Sequence, residues 1–400
     1  MQNNPDSYPT IVLQKGKEEA VKRFHPWIFS GAIKTKPLGI KTGAIVTVCD
    51  FQDKVLGTGF YEGEMIEVKL LSFNSKIIDK AFFEEKLFDA LRLRQQLGLI
   101  DNPEIQAYRL VHSEGDGLPG LIIDIYGKTA VLQAQSTGMY HQKQVICNAL
   151  LKVMQGRLEA VFDKSAEALG RMNKDAETND YLFGAASENT VTENGLSFSV
   201  DWEKGQKTGF FIDQRDNRQL LRSLSKDKRV LNTFSYSGGF SVYALAGGAT
   251  AVVSVDSSKR AIELCDKNIL LNGFQATQYQ SVCQDAKKYL EQLQGNDFDI
   301  IVLDPPAFAK NHSSRHKGLQ GYKYINYEAI KKIDHGGLLF TFSCSQAVDR
   351  SSFQSIVMAA AIEAQRPVRI LHYHSQSADH PVSIFHPEGA YLKGLLLQIE

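Results

Sequence analysis

RVLNTFSYSGGFSVYALAGGATAVVSVD, residues 229–256, decides how the chain is to be folded. RVLNTFS reads as an apolar strand, Gly238 and Gly239 as its tight exit, FSVYALAGG as a helix and AVVSVD as a second strand. The same alternation continues to the C-terminus. Helix SSKRAIELCDKNILLNG, strand segment SVCQDA (281–286), helix KKYLEQLQ and strand FDIIVLD (298–304) come next. They are followed by a helix near 326–333, strand GLLFTFS, helix FQSIVMAAAIEA and strands RILHYHS and AYLKGLLLQI. Apolar strands divided by amphipathic helices pack as a mostly parallel sheet covered on both faces. The expectation for 191–400 is therefore a doubly wound, Rossmann-like α/β sheet. In such sheets ligands sit outside the C-terminal ends of the strands.

Upstream the period is different. GAIVTVCD (43–50), KVLGTGFY (54–61) and MIEVKLLSF (65–73) read as short strands between Gly and charged turns, which predicts a compact β-barrel over 1–75. KAFFEEKLFDALRLRQQLGL (80–99) carries Phe83, Leu87, Ala90, Leu91, Arg94 and Leu97 at helical spacing. HSEGDGLPGLIIDIYG (112–127) reads as strand around a turn, and a helix is expected near 140–155. A central α+β domain over 76–190 follows from these.

Composition narrows the class. The 400 residues exceed what one core normally serves, and 43% hydrophobic with 22% charged residues is ordinary for a globular protein. The start lacks the pattern of a signal peptide, and no apolar run is long enough for a bilayer, so a cytoplasmic protein without a membrane partner is expected. Cysteines 49, 147, 265, 283 and 344 form no C-x-x-C pair, which speaks against a disulfide framework. Net charge is zero, so the surface as a whole is not a basic coat for nucleic acid. Locally, 204–229 has eight basic against three acidic residues, and 310–332 has six against Glu328.

The strand ends carry the chemistry. NTFSYSGGFS (232–241) lacks G-x-G-x-x-G, yet its glycines permit close backbone approach at a helix N-terminus. Asp256 ends the next strand, placed for two ribose hydroxyls, and Asp285 ends the third, placed for an adenine amine. This set fits NAD and S-adenosylmethionine alike. Asp304, Pro305 and Pro306 follow the fourth strand, where the prolines impose a rigid turn that presents Asp304 to the amide-like edge of a flat base. Cys344, in GGLLFTFSCSQ (336–346), stands where the fifth strand runs out, either an inert core thiol or a nucleophile. Histidines 372, 374, 380 and 386 cluster late in the chain without ligand spacing, so structural histidines and no metal site are expected.

S-Y-S-G-G-F, the strand-ending Asp256, D-P-P-A-F and F-S-C-S resemble motifs of class I S-adenosylmethionine-dependent RNA methyltransferases. GQKTGFFIDQRDNR (205–218), HSEGDGLPGLIIDIYG, GLQGYKYIN (318–326) and ADHPVSIFHPEGAYLKG (378–394) are similar, over essentially the whole chain, to one family. That is the RlmI-like bacterial 23S rRNA cytosine-5 methyltransferases. The resemblance implies an RNA-binding PUA domain over 1–75, a central domain over 76–190 and a class I methyltransferase domain over 191–400. It implies S-adenosylmethionine as cofactor, held by Phe210, Arg215, Ser235, Tyr236, Ser237, Gly238, Asp256, Asp285 and Asp304. It also implies Cys344 as the nucleophile, with Asp304 gripping the cytosine.

A free thiol has a pKa of about 8.5, so positive charge from the cofactor and the basic segments is expected to favour the thiolate. Ala307 stands where related enzymes have a second cysteine, which leaves the base for the carbon-5 proton open between a water and Asp304. The basic segments are expected to border the pocket as a phosphate track, with Tyr322, Tyr324 and Tyr327 either stacking bases or packing the helix. The expected partner is 23S rRNA, free or in an assembling large subunit; oligomeric state, a homodimer included, stays open at this level. Two alternatives for the reaction remain, an N-methyltransferase acting on an exocyclic amine and an NAD-dependent oxidoreductase. A non-catalytic RNA-binding protein is a third reading.

Overall fold

The computed structural model describes residues 8–170, 178–185, 188–309 and 311–400. It divides into two compact units, one of 1–191, 200–210 and 378–389, the other of 192–199, 211–377 and 390–400.

In the first unit a six-stranded sheet has the order Trp27–Phe29, Ile66–Ser72, Val55–Tyr61, Ile45–Cys49, Thr10–Leu13, Ile33–Thr35. The three strands expected from sequence are its centre. The other three are only three or four residues long, below what alternation can reveal. A separate five-stranded sheet runs Asp180–Gly184, Ala160–Asp163, Thr129–Ala134, Leu121–Tyr126, Ala107–His112. Helices Lys80–Gln96 and Lys143–Met154 share its core. The first begins where Asp79 Oδ1 accepts from the Phe82 N–H at 3.0 Å. Its Phe83, Leu87 and Leu91 are buried, each stabilising the unit by roughly 1.5–3 kcal/mol.

The second unit contains a seven-stranded sheet. Its strands are β1 (Arg229–Thr233), β2 (Ala251–Asp256), β3 (Tyr279–Cys283), β4 (Ile300–Leu303), β5 (Leu338–Ser343), β6 (Val368–His374) and β7 (Lys393–Ile399). Their spatial order is β3-β2-β1-β4-β5-β7-β6. β1 to β5 are parallel, while β7 lies antiparallel to both β5 and β6. Helices α1 (Arg215–Leu224), α2 (Gly239–Ala246), α3 (Lys259–Leu271), α4 (Ala286–Gln292), α5 (Arg315–Lys332) and α6 (Arg350–Glu363) accompany it. Ile301, Leu303, Leu339, Ile325, Ala329 and Phe353 belong to one buried cluster between the sheet and its helices. The strand order reverses between β1 and β4, which makes their C-terminal ends the switch point where a crevice opens. Among the described residues no helix is long and apolar enough to cross a membrane.

Candidate active site

The loop from β1 to α2 is held in an unusual backbone. Phe234, Tyr236 and Gly238 have φ of 54°, 44° and 76°. For the two non-glycine residues this costs on the order of 1–3 kcal/mol each, strain that concentrates at ligand-holding turns. A side chain at Gly238 would put its Cβ 2.3 Å from Cys265 Sγ, so both φ and space require glycine there. Asp256 fastens the loop: its Oδ2 accepts from the Tyr236 N–H at 3.0 Å and its Oδ1 from the Ser258 N–H at 2.9 Å. Asp285 lies two residues past β3 and caps α4, with Oδ1 accepting from Lys287 and Lys288 N–H groups. Since β1, β2 and β3 are neighbours in the sheet, Ser235 to Gly238, Asp256 and Asp285 follow one another along one edge. Ser235 and Ser237 are buried, and Ser235 Oγ has no hydrogen-bond partner. A buried, unmatched hydroxyl next to Asp256, with the Asp285 carboxylate one strand further along, offers acceptors that fit the hydroxyls and amine of an adenosine.

Arg215 and Phe210 are the other two residues expected at the cofactor. Arg215 opens α1, where it is buried with its Nε 3.5 Å from Glu193 Oε2. Arg218 and the Tyr243 hydroxyl donate to the other oxygen of the same carboxylate, at 2.6 and 2.9 Å. Phe210 is the last residue of its segment in the first unit, buried, with its carbonyl 3.5 Å from the Tyr126 hydroxyl.

Asp304 and Cys344 follow β4 and β5, which are paired strands, so the turn and the thiol are neighbours. Cys344 Sγ lies 4.0 Å from the Pro305 carbonyl oxygen. The Pro-Pro loop is pinned beside it by Ser345 and Tyr322: Ser345 Oγ accepts from the Ala309 N–H at 3.1 Å, and the two hydroxyls are 2.8 Å apart. Helix α5 can approach that loop because Gly318 has no Cβ, which would otherwise lie 2.7 Å from Ala309 Cβ. Tyr322 is therefore a buried packing residue of the site and not a base-stacking platform.

Four residues that sequence reasoning left without a role complete this end of the sheet. Tyr391 donates to Asp213 Oδ2 at 2.6 Å, while Asp213 Oδ1 is buried without a partner. Gln214 hydrogen-bonds the Asp304 carboxylate. Lys393 donates to the Ser345 and Val348 carbonyls at 2.6 and 2.7 Å, and burial pushes its ammonium down to about 8. Asp213 and Gln214 lie inside GQKTGFFIDQRDNR, and Tyr391 and Lys393 inside the tail segment. A lysine opening an apolar strand was the signal to follow.

The electrostatics reverse one expectation. Burial, then the Asp213 carboxylate, push Asp304 up to about 7. Burial, then the Asp304 and Asp213 carboxylates, push the Cys344 thiol up to about 11, against a downward pull from Lys393. The thiol is thus held protonated, first by burial and then by the two acidic neighbours. The basic segments do not serve it. Arg215 and Arg218 face Glu193, and Arg229 pairs with Asp299 and Asp334 at the start of β1, the opposite end of the strand from the crevice. On α5, Arg315, Lys323 and Lys332 pair with Asp349, Glu363 and Glu328. Lys310 lies outside the described residues. Alkylation of Cys344 by iodoacetamide is therefore expected to be slow at pH 7–8, when between roughly one thiol in 10⁴ and one in 10³ is ionised, and to climb steadily with pH towards about 11. Peptide-resolved mass spectrometry separates it from the exposed Cys283, and fast modification of Cys344 at neutral pH would contradict the electrostatics.

Two of the four late histidines are structural: His374 Nδ1 is 2.8 Å from Asn217 Oδ1 and His380 Nδ1 is 3.0 Å from Asp379 Oδ1. His386 is different. It is buried with neither ring nitrogen in a hydrogen bond, next to His25 and Glu388, an arrangement that linear spacing could not show.

Known proteins match two regions of the chain. The family described as S-adenosylmethionine-dependent methyltransferase matches residues 164–369, and a PUA-like domain matches 11–73. Ribosomal RNA large subunit methyltransferase I of Klebsiella pneumoniae (strain 342) is 39% identical over 398 residues, covering 98% of both chains. The protein of the same name from Escherichia coli O157:H7 is 38% identical, covering 97% of this chain and 99% of its own. Among solved structures, a chain from Streptococcus mutans described as a SAM-dependent methyltransferase has a TM-score of 0.83 at 22% identity, covering 97% of this chain and 99% of its own. A methyltransferase solved with SAH matches equally well, at a TM-score of 0.83 and 24% identity with the same coverage. At those identities the structural likeness speaks for the fold alone.

Proposed function

This chain belongs to the S-adenosylmethionine-dependent methyltransferases of the ribosomal RNA large subunit methyltransferase I family, and we propose that it methylates carbon 5 of a cytosine in 23S rRNA through a covalent cysteine adduct. The observation that carries the reading is the thiol of Cys344 beside the Asp304 turn at adjoining strand ends. Carbon 5 of cytosine is too weak a nucleophile to react unaided. Addition of Cys344 Sγ to carbon 6 turns it into an enamine carbon.

The residues supply the protons for that step. Asp304, pushed up to about 7, is half carboxylate at neutral pH. It takes the proton of Cys344, and as the acid donates it to ring N3, drawing electrons towards nitrogen as sulfur adds. When bound, S-adenosylmethionine supplies the electrophilic methyl group that carbon 5 takes up. Carbon 5 then carries both a methyl and its original proton. We assign removal of that proton to Asp213. Tyr391 holds one of its oxygens, the other has no partner, and its charge acts on both Asp304 and Cys344. Loss of the proton restores the carbon 5–carbon 6 double bond and expels the sulfur. N3 and Asp213 return their protons, one to Cys344 and one to solvent. Ala307 offers no second thiol, so a carboxylate in this role removes the need for one.

Asp256 would bind the ribose and Asp285 the adenine amine, with the Ser235–Gly238 loop around them; Phe210 and Arg215 are retained as contacts of the same cofactor. The target base must leave its stack to reach a crevice at strand ends. The PUA-like sheet would hold flanking RNA. With it go the division into 1–75, 76–190 and 191–400, and a cytoplasmic location where ribosomal subunits assemble. Mapping modified nucleotides of 23S rRNA by mass spectrometry, with and without the gene, is the test. One 5-methylcytidine should vanish with the gene and return with the wild-type protein. Methylation of an exocyclic amine instead would select the N-methyltransferase alternative, and an unchanged map would end the proposal.

A further inference from the structure

Within the first unit, three side chains meet that the proposed reaction does not use. His25, His386 and Glu388 each bring a ligand atom to within 4.8 Å of the others. His25 Nε2 is 3.7 Å from Glu388 Oε1, and His386 Nε2 is 3.8 Å from Glu388 Oε2. These separations are too long for hydrogen bonds. They are close to the roughly 3.3–3.4 Å that separates two donors bound to one tetrahedral Zn²⁺ at about 2.0–2.1 Å.

His386 supplies the second observation. It is 2% exposed, and neither Nδ1 nor Nε2 has a hydrogen-bond partner. Buried nitrogens without partners are rare, and an ion or water is the usual reason for one. The Trp27 indole packs edge-on against the imidazole at 4.3 Å between ring centroids and donates its own N–H to Glu114 at 2.8 Å, so the wall beside His386 is aromatic and already satisfied. On the other side, His25 Nδ1 is 3.3 Å from both the Trp27 carbonyl oxygen and the Trp27 backbone nitrogen. In the tautomer that donates Nδ1–H to the carbonyl, the Nε2 lone pair is free for a metal, the second-sphere arrangement common to metal-bound histidines. The short turn Pro387–Gly389 keeps Glu388 beside His386.

We propose that His25, His386 and Glu388 bind one divalent cation that prefers nitrogen, with Zn²⁺ the best match, and that water completes its shell. The ion clips the 378–389 segment to the turn that precedes strand Trp27–Phe29, joining points 361 positions apart in sequence. The site is independent of the methyl-transfer chemistry.

The test uses the full-length protein stripped with a chelator, then titrated with Zn²⁺ alone by calorimetry and with Co²⁺ alone by absorption. One equivalent should bind, Co²⁺ giving ligand-field bands without thiolate charge transfer, and Zn²⁺ should raise Tm. Glu388→Gln, at an exposed residue whose loss leaves the core intact, and His386→Ala should each weaken Zn²⁺ binding by at least about 10-fold and remove the Tm rise. No stoichiometric binding by the wild-type chain, undiminished binding by His25→Ala/His386→Ala, or a cobalt spectrum showing thiolate ligation would each overturn the proposal.

Discussion

Cys344→Ser is expected to lower the rate of methyl transfer by on the order of 10⁴-fold or more while leaving S-adenosylmethionine binding within a few-fold of wild type. The hydroxyl is nearly isosteric, and the contact of the sulfur with the Pro305 carbonyl is a long 4.0 Å, so the fold has little reason to respond. What changes is nucleophilicity. Even with its pKa pushed up to about 11 the thiol ionises far more readily than an alcohol, and the sulfur anion is the better nucleophile towards carbon 6. The measurement is single-turnover transfer of a labelled methyl group to 23S rRNA transcripts. RNA carrying 5-fluorocytidine at the target adds a second readout. Fluorine cannot leave as a proton does, so wild-type protein should be trapped in a denaturant-stable adduct and Cys344→Ser should not. Turnover retained by the serine variant would exclude a covalent route and favour an amine as the methyl acceptor.

The strand-and-helix alternation beginning at 229 was readable because β1 to β5 are apolar runs set between amphipathic helices, a contrast that does not depend on a strand being long. The residues at the ends of those strands were readable for the same reason, since topology fixes where a strand end lies. Asp213 and Tyr391 were not, because they are 178 positions apart and only the fold puts one hydroxyl on one carboxylate. Charge counts alone could not sort these residues: over 204–229 folding pairs Arg218 with Glu193 and Arg229 with Asp299, while Lys204, Lys207, Lys226 and Lys228 stay exposed. Likewise a row of late histidines hid one, His386, which meets His25 from the other end of the chain.

Asp213→Asn should separate the second half of the reaction from the first. An amide cannot take the carbon-5 proton, so turnover should fall by about 10²–10⁴-fold, the range of a general base. If the base acts after methyl transfer, the stalled species is a methylated cytosine still bonded to Cys344. Ordinary rRNA should then give a denaturant-stable protein–RNA adduct with Asp213→Asn, without 5-fluorocytidine, and lose it again with Asp213→Asn/Cys344→Ala. Losing the negative charge also has a sign that can be checked. Asp213 raises both Asp304 and Cys344, so its removal must lower both from about 7 and about 11, and the variant's Cys344 should alkylate faster at a given pH. A variant damaged only in its packing would predict neither the adduct nor a faster thiol. Tyr391→Phe, which keeps the carboxylate but frees the oxygen held at 2.6 Å, should slow turnover less than Asp213→Asn does. Slow turnover without an adduct would move Asp213 to the addition step, and wild-type turnover would return the proton to water or to Asp304.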